Sequence, residues 1–223
     1  MKYPIYEHFH SFQGEGVYSG QAAYFIRLYG CPLQCSWCDS AGTWHTDWIP
    51  TNIEKLDAES IANLTFEKNG FVVLTGGEPS IFNLESLTSA LKARGKNIHI
   101  ETSGAFPIKG TIDWLTVSPK WSKLPMDKNI DTANEIKLIV EKEEDIEVWM
   151  NKLKINNNTP VWLHPEWSKR KDHKLLNIIS NFVKENGGQF RAGWQLHKLY
   201  AVDTLDKNSK ENIPLGGNIK NGY

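Results

Sequence analysis

Cysteine, net charge and long apolar runs are all scarce in this chain, and each shortage removes a class of function. Three cysteines among 223 residues leave one thiol over under any pairing, which argues against the disulfide framework of a small secreted domain. Cationic and anionic side chains nearly cancel, 25 against 26 for a formal charge of −1, so there is no electrostatic footprint for nucleic acid or an anionic membrane. No apolar stretch approaches the roughly 18–20 residues that cross a bilayer, and nothing at the N-terminus resembles a signal peptide. Internal repeats, low-complexity tracts and a clear domain boundary are also missing. What remains, 40% hydrophobic and 23% charged, reads as one soluble α/β domain and is too short for two large ones.

The few cysteines are all in one place. They fall within eight residues, Cys31-Pro-Leu-Gln-Cys35-Ser-Trp-Cys38. A cubane iron–sulfur cluster has four iron corners, and a protein normally fills each with a thiolate. Three thiolates at this spacing hold three corners and leave the fourth iron open to a small molecule, which points to catalysis. The competing reading is a structural zinc site completed by His45, although zinc ligands usually come as two separated pairs. Clustered, reduced thiols in an untargeted chain imply the cytoplasm.

Apolar β-branched and aromatic runs alternate with helix-patterned stretches, which predicts repeated β-α units and a mostly parallel sheet. The runs at 22–28, 71–74, 97–100, 114–117, 135–140 and 161–163 read as strands, and those at 58–68, 84–93, 145–153 and 174–185 as helices. Residues 39–52 read as a polar loop, and 204–223, rich in Asn, Lys and Gly, as an exposed tail beyond a single domain of 1–203. Most of the nine tryptophans are expected to be core or interface anchors. Four polar motifs follow directly on predicted strands: the cysteines, Thr75-Gly76-Gly77-Glu78-Pro79, Glu101-Thr102-Ser103-Gly104 and Ser118-Pro119-Lys120. The C-terminal strand edge of a parallel α/β protein is where ligands bind.

Each motif also has a plain structural reading. Gly76 and Gly77 let backbone approach a ligand closely and Glu78 can accept from an ammonium, or the stretch is an ordinary turn. Ser118 and Lys120 offer a hydroxyl and an ammonium, or mark a strand end with a solvated lysine. Glu101 and Ser103 are as readily structural as functional. Taken together, Cys-x3-Cys-x2-Cys and the Gly-Gly-Glu-Pro tetrad resemble the signature of the radical S-adenosylmethionine superfamily. That resemblance implies a [4Fe-4S] cluster on Cys31, Cys35 and Cys38, whose open iron chelates S-adenosylmethionine and cleaves it to a 5′-deoxyadenosyl radical. It implies further contacts to that cofactor from Trp37, Cys38, Asp39, Gly76, Gly77, Glu78, Ser118, Pro119 and Lys120.

A narrower resemblance rests on Phe12-Gln13-Gly14-Glu15-Gly16 before the first predicted strand, Arg27 within it, Asp39-Ser40 after the third cysteine, and Gln195-Leu-His197-Lys198. This set is similar to the 7-carboxy-7-deazaguanine synthase family over about residues 3–202. The family resemblance implies an incomplete (β/α) barrel of about six mostly parallel strands, paired as a homodimer. It implies conversion of 6-carboxy-5,6,7,8-tetrahydropterin with loss of ammonia, assisted by Mg2+ and driven by a flavodoxin or ferredoxin as electron donor. Phe12, Gln13, Gly14 and Thr75 would contact the pterin, Arg27 would grip its carboxylate, Glu15 would meet a ring N–H, and Ser40 would ligate Mg2+ where relatives often carry threonine. His164 stands where relatives often carry glutamine and reads as a satisfied core histidine. Asp203 is a candidate stand-in for a C-terminal carboxylate. An activase that installs a glycyl radical shares the cysteine spacing, but gives no reason for the residues around Gln13, Arg27 and Ser40.

Overall fold

The computed structural model describes residues 1–48 and 50–200. In chain order the strands are β1 (Lys2–Phe12), β2 (Ala22–Leu28), β3 (Glu54–Asp57), β4 (Phe71–Gly76), β5 (Ile98–Thr102), β6 (Trp114–Val117), β7 (Glu135–Val140), β8 (Val161–Pro165) and β9 (Phe190–Ala192). The helices are α1 (Ala58–Leu64), α2 (Glu85–Ala93), α3 (Asp127–Asp131), α4 (Glu144–Lys152), α5 (His173–Asn186) and α6 (Leu196–Leu199). The strands form one sheet in the order β3-β1-β2-β4-β5-β6-β7-β8-β9. From β2 to β9 every neighbouring pair is parallel, whereas β1 runs antiparallel to both β2 and β3. No ladder joins β3 to β9 among the described residues, so the nine-stranded sheet is open, compatible with the incomplete barrel expected.

All six expected strands are present, and three have the expected limits. The 11-residue β1 was expected only as a segment ahead of the first strand. Its apolar alternation is broken by a register shift between Ile5 and Glu7, a bulge that hides the period-2 signal, and Pro4 sits beside it. The helix expected over 58–68 stops at Leu64, with Thr65 capping it and Glu67 in the left-handed region at φ 57°. The expected tail at 204–223 and Asp203 lie outside the described residues.

Strand alternation sorts the sheet into two faces. One carries Ile26, Leu74, Ile100, Val117, Leu138 and Leu163, fully buried against apolar residues of α1, α2, α4 and α5. The other carries Phe25, Arg27, Thr75, His99, Glu101, Thr116, Glu135, Lys137, Trp162 and His164. That second face is polar toward the C-terminal strand ends and aromatic toward the other edge. There His99 stacks on Phe71 at 3.8 Å and meets Tyr18 edge-on at 4.6 Å.

Burial holds the His99 imidazole down to a pKa of about 4. The unfolded chain takes up this proton below about pH 6.5, while the folded chain refuses it until about pH 4, so stability falls as pH drops through that window. Denaturant titrations at successive pH values are expected to show a shallower loss for His99→Phe than for the wild type. An unchanged slope would contradict the assignment.

Candidate active site

The loop after β2 carries the cysteines, and it is held against the loop after β4 by backbone alone. Gly77 N–H donates to Leu28 O at 2.9 Å and Glu78 N–H to Gly30 O at 2.9 Å. Gly76 lies at φ +131°, and a Cβ on Gly77 would sit 2.2 Å from Gly30 O. The freedom these glycines supply is thus used in part for chain against chain. Gln34, at φ 52°, turns the loop between the first two cysteines, a conformation that costs a non-glycine residue on the order of 1 kcal/mol.

All three thiols are free and line one cleft, with about 1370 Å³ of empty space when its open mouth is included. Burial pushes the Cys31 thiol up to about 11 and also raises Cys35, so protons must leave when a metal binds. Trp44 Nε1 donates to Cys38 Sγ at 3.4 Å, and Ser40 Oγ lies 3.7 Å from the same sulfur. Contacts of this kind tune iron–sulfur sites. The donor set suits a cluster. It does not suit zinc: His45 is absent from the cleft wall and its Nδ1 accepts from Asp47 N–H at 3.3 Å. Among the described residues, no three His, Cys, Asp or Glu side chains converge to hold a single ion.

Glu78 is the bracket of the site. It is 1% exposed, and its carboxylate accepts from Ser80 N–H at 3.0 Å, Ser80 Oγ at 2.7 Å, Ser103 N–H at 2.8 Å and the Thr102 hydroxyl. The expected open acceptor for an ammonium is here committed to its own chain, tying the ends of β4 and β5 together.

The 13–16 loop, which shares the cleft, is held at Gln13, Gly14 and Glu15. Gln13 Nε2 donates to Glu101 Oε1 at 2.9 Å, and Thr75 Oγ1 donates to Glu101 Oε2 at 3.1 Å. Glu15 is ion-paired with Lys137 of β7 and accepts from Gln195 Nε2 at 2.7 Å. Burial alone would raise the Glu15 pKa, but Lys137, His164 and His197 together outweigh it and hold the carboxyl well below the usual range. Burial would likewise lower Lys137, yet Glu15 and Glu101 carry it upward. Glu135 accepts from Val17 N–H at 2.9 Å and Thr116 Oγ1 at 2.8 Å. Gly14 O accepts from Leu196 N–H at 2.9 Å, and a Cβ on Gly14 would sit 2.1 Å from His197 Nδ1.

Arg27 Nε donates to Glu7 Oε1 at 2.6 Å while the side chain lines the cleft. Asp39 pairs with Lys198 Nζ at 3.0 Å; burial opposes the charge, and Lys198 more than compensates, so the pKa is lowered. Lys120, its pKa lowered by burial, donates to Ser118 O and Oγ at 2.7 Å each and lies 5.1 Å from the Trp37 ring.

Every expected site residue except Gly14 and Pro119 lines this cleft. Glu101 and Ser103, weighed evenly in the sequence, line it too, as do Lys137, Trp44, Glu166, Trp167, Gln195 and His197. A lysine inside the otherwise apolar strand 135–140 was the sequence signal for Lys137. His164 does not line it. The histidine is buried as expected but is not satisfied, since neither ring nitrogen has a partner among the described residues.

An open parallel α/β sheet with three thiols and a polar cleft at its C-terminal edge defines a cluster-binding enzyme scaffold. Accordingly, residues 12–149 match the family described as a 4Fe-4S single cluster domain. The chain belongs to the 7-carboxy-7-deazaguanine synthase family. It is 40% identical over 205 residues to the synthase of Synechocystis sp., covering 91% of this chain and 94% of that one. It is 37% identical over 200 residues to the one from Flavobacterium psychrophilum, covering 89% and 92%. The crystal structure of QueE from Escherichia coli aligns with a TM-score of 0.71 at 32% identity, covering 88% of this chain and 95% of that one.

Glu78→Gln puts an amide N–H2 among four donors. It is expected to lower stability by about 2–4 kcal/mol by chemical denaturation. A change under about 0.5 kcal/mol would show that the bracket is unimportant.

Proposed function

We propose that this chain is a radical S-adenosylmethionine lyase that converts 6-carboxy-5,6,7,8-tetrahydropterin to 7-carboxy-7-deazaguanine with loss of ammonia, within queuosine and 7-deazapurine biosynthesis. The observation that carries this reading is a single cleft lined by the three cysteines together with Gln13, Glu15 and Arg27. Cys31, Cys35 and Cys38 would hold a [4Fe-4S] cluster, which when bound supplies the electron that cleaves S-adenosylmethionine.

The chain's own residues divide the remaining work. Backbone at Gly76 and Gly77, which Glu78 keeps in place, would hold the methionine end of the cofactor together with Ser118 and Lys120, and the 37–39 stretch would hold the adenosine end. Arg27, oriented by Glu7, pairs with the substrate carboxylate, and Ser40 offers Mg2+ a hard oxygen next to that carboxylate. Phe12 walls a flat ring. Gln13 and Thr75 position Glu101, and the buried Glu15–Lys137 pair presents charge to ring nitrogens.

Support for the wider setting is coarser. No helix among the described residues is long and apolar enough to cross a membrane, and reduced clustered thiols favour the cytoplasm. A homodimer and a flavodoxin or ferredoxin donor follow from the family resemblance, and the near-neutral charge favours no nucleic-acid partner. A glycyl-radical activase leaves the 13–16 loop and Arg27 without a task.

Arg27→Ala separates the roles. It is expected to weaken pterin binding by about 10–100-fold, the size of a lost charge-assisted hydrogen bond, while calorimetry shows S-adenosylmethionine binding unchanged within about twofold. Equal loss of both would make Arg27 a structural residue.

A further inference from the structure

Beneath the cleft lies a second, much smaller space, bounded by Glu15, Glu101, Thr116, Glu135, Lys137 and His164. Glu15, Glu101 and Lys137 line both spaces, so they form the wall between them. The carboxylates in that wall already have protein partners. His164 does not: it is 1% exposed, and neither Nδ1 nor Nε2 is hydrogen-bonded among the described residues. Burial holds its pKa down to about 4, so at neutral pH the ring carries one N–H donor and one acceptor. Leaving both unmet in the interior is costly. Backbone has been cleared for this ring, because a Cβ on Gly193 would lie 2.2 Å from His164 Nε2. A small space lined mostly by polar side chains, with room for about one water, is where an ordered internal water resides.

We infer that this cavity holds an internal water bound by His164, which ties the imidazole to the Glu15 wall and makes His164 a positioning residue for the pterin end of the cleft. The inference rests on Glu15 facing the substrate, as proposed above. The water meets one nitrogen of the imidazole, supports the Glu15–Lys137 pair from behind, and limits how far the 13–16 loop can settle inward. An aromatic hydrocarbon at position 164 would fill similar volume but leave the water one partner short. A glutamine would keep a donor and an acceptor on nearly the same path.

The test pairs a high-resolution anaerobic crystal structure of the full chain with kinetics of His164→Phe and His164→Gln. The structure is expected to show an ordered water within hydrogen-bond distance of His164 and of Glu15 or Glu135. His164→Phe is expected to raise the pterin KM about tenfold, the scale of one buried hydrogen bond, with S-adenosylmethionine affinity unchanged, and His164→Gln to restore most of the loss. A dry cavity overturns the inference. So does an unchanged KM in His164→Phe, equal weakening of both ligands, or a glutamine variant no better than phenylalanine. If His164→Phe does not fold, the water and the glutamine variant decide. If the wild type fails to turn over the pterin while the water is present at His164, it is the proposed function that falls.

Discussion

A buried ion pair, Glu15 with Lys137, organises this molecule. It joins a loop near the N-terminus to a strand 122 residues further along, and neither charge can be housed there without the other. Burial opposes ionisation of both groups, and each restores the other. Gln195 extends the pair toward Asp39, which Lys198 holds in turn. The 13–16 loop, the segment after the third cysteine and the α6 region therefore share one polar network. Its members come from distant parts of the chain, so the cleft wall exists only once the whole sheet has formed.

The sheet itself explains how so polar a network is tolerated. Its outer face is sealed by helices over a continuous apolar core, and that face carries the stability. The inner face is free to hold Arg27, Thr75, Glu101, Glu135 and Lys137 because each finds a partner on a neighbouring strand or on the loops above. At the C-terminal edge the same strands deliver the cysteines, Gly76-Gly77 and Lys120 to one mouth. Glu78 locks two of those strand ends together from below, so the ligand-facing backbone is stiff before any ligand arrives.

Much of this was legible in the sequence. Parallel strands announce themselves as apolar β-branched runs, and six of them were readable, with boundaries slipping mainly where a strand continues into its motif, as at Thr75-Gly76. The cysteine spacing and the Gly-Gly-Glu-Pro tetrad located the mouth. Other features depended on tertiary structure. β1 was obscured by a bulge and a proline. Lys137 and Glu135 were visible as charges inside a strand and Glu101 as one just after a strand, but their inward direction follows only from register. Glu78 read as an open acceptor because a sequence does not display the donors that converge on it. His164 read as satisfied for the complementary reason, that its lack of partners is a property of the packed interior.

Membership of the synthase family and the cleft together give one central claim, that the cysteine mouth and the 13–16 wall act on a pterin bound between them. The direct test is anaerobic turnover of the reconstituted chain with S-adenosylmethionine, a reductant, Mg2+ and 6-carboxy-5,6,7,8-tetrahydropterin, followed by mass spectrometry. The account predicts 7-carboxy-7-deazaguanine without stoichiometric consumption of S-adenosylmethionine. Accumulation of 5′-deoxyadenosine with no such product would contradict it, leaving a radical enzyme whose substrate lies elsewhere.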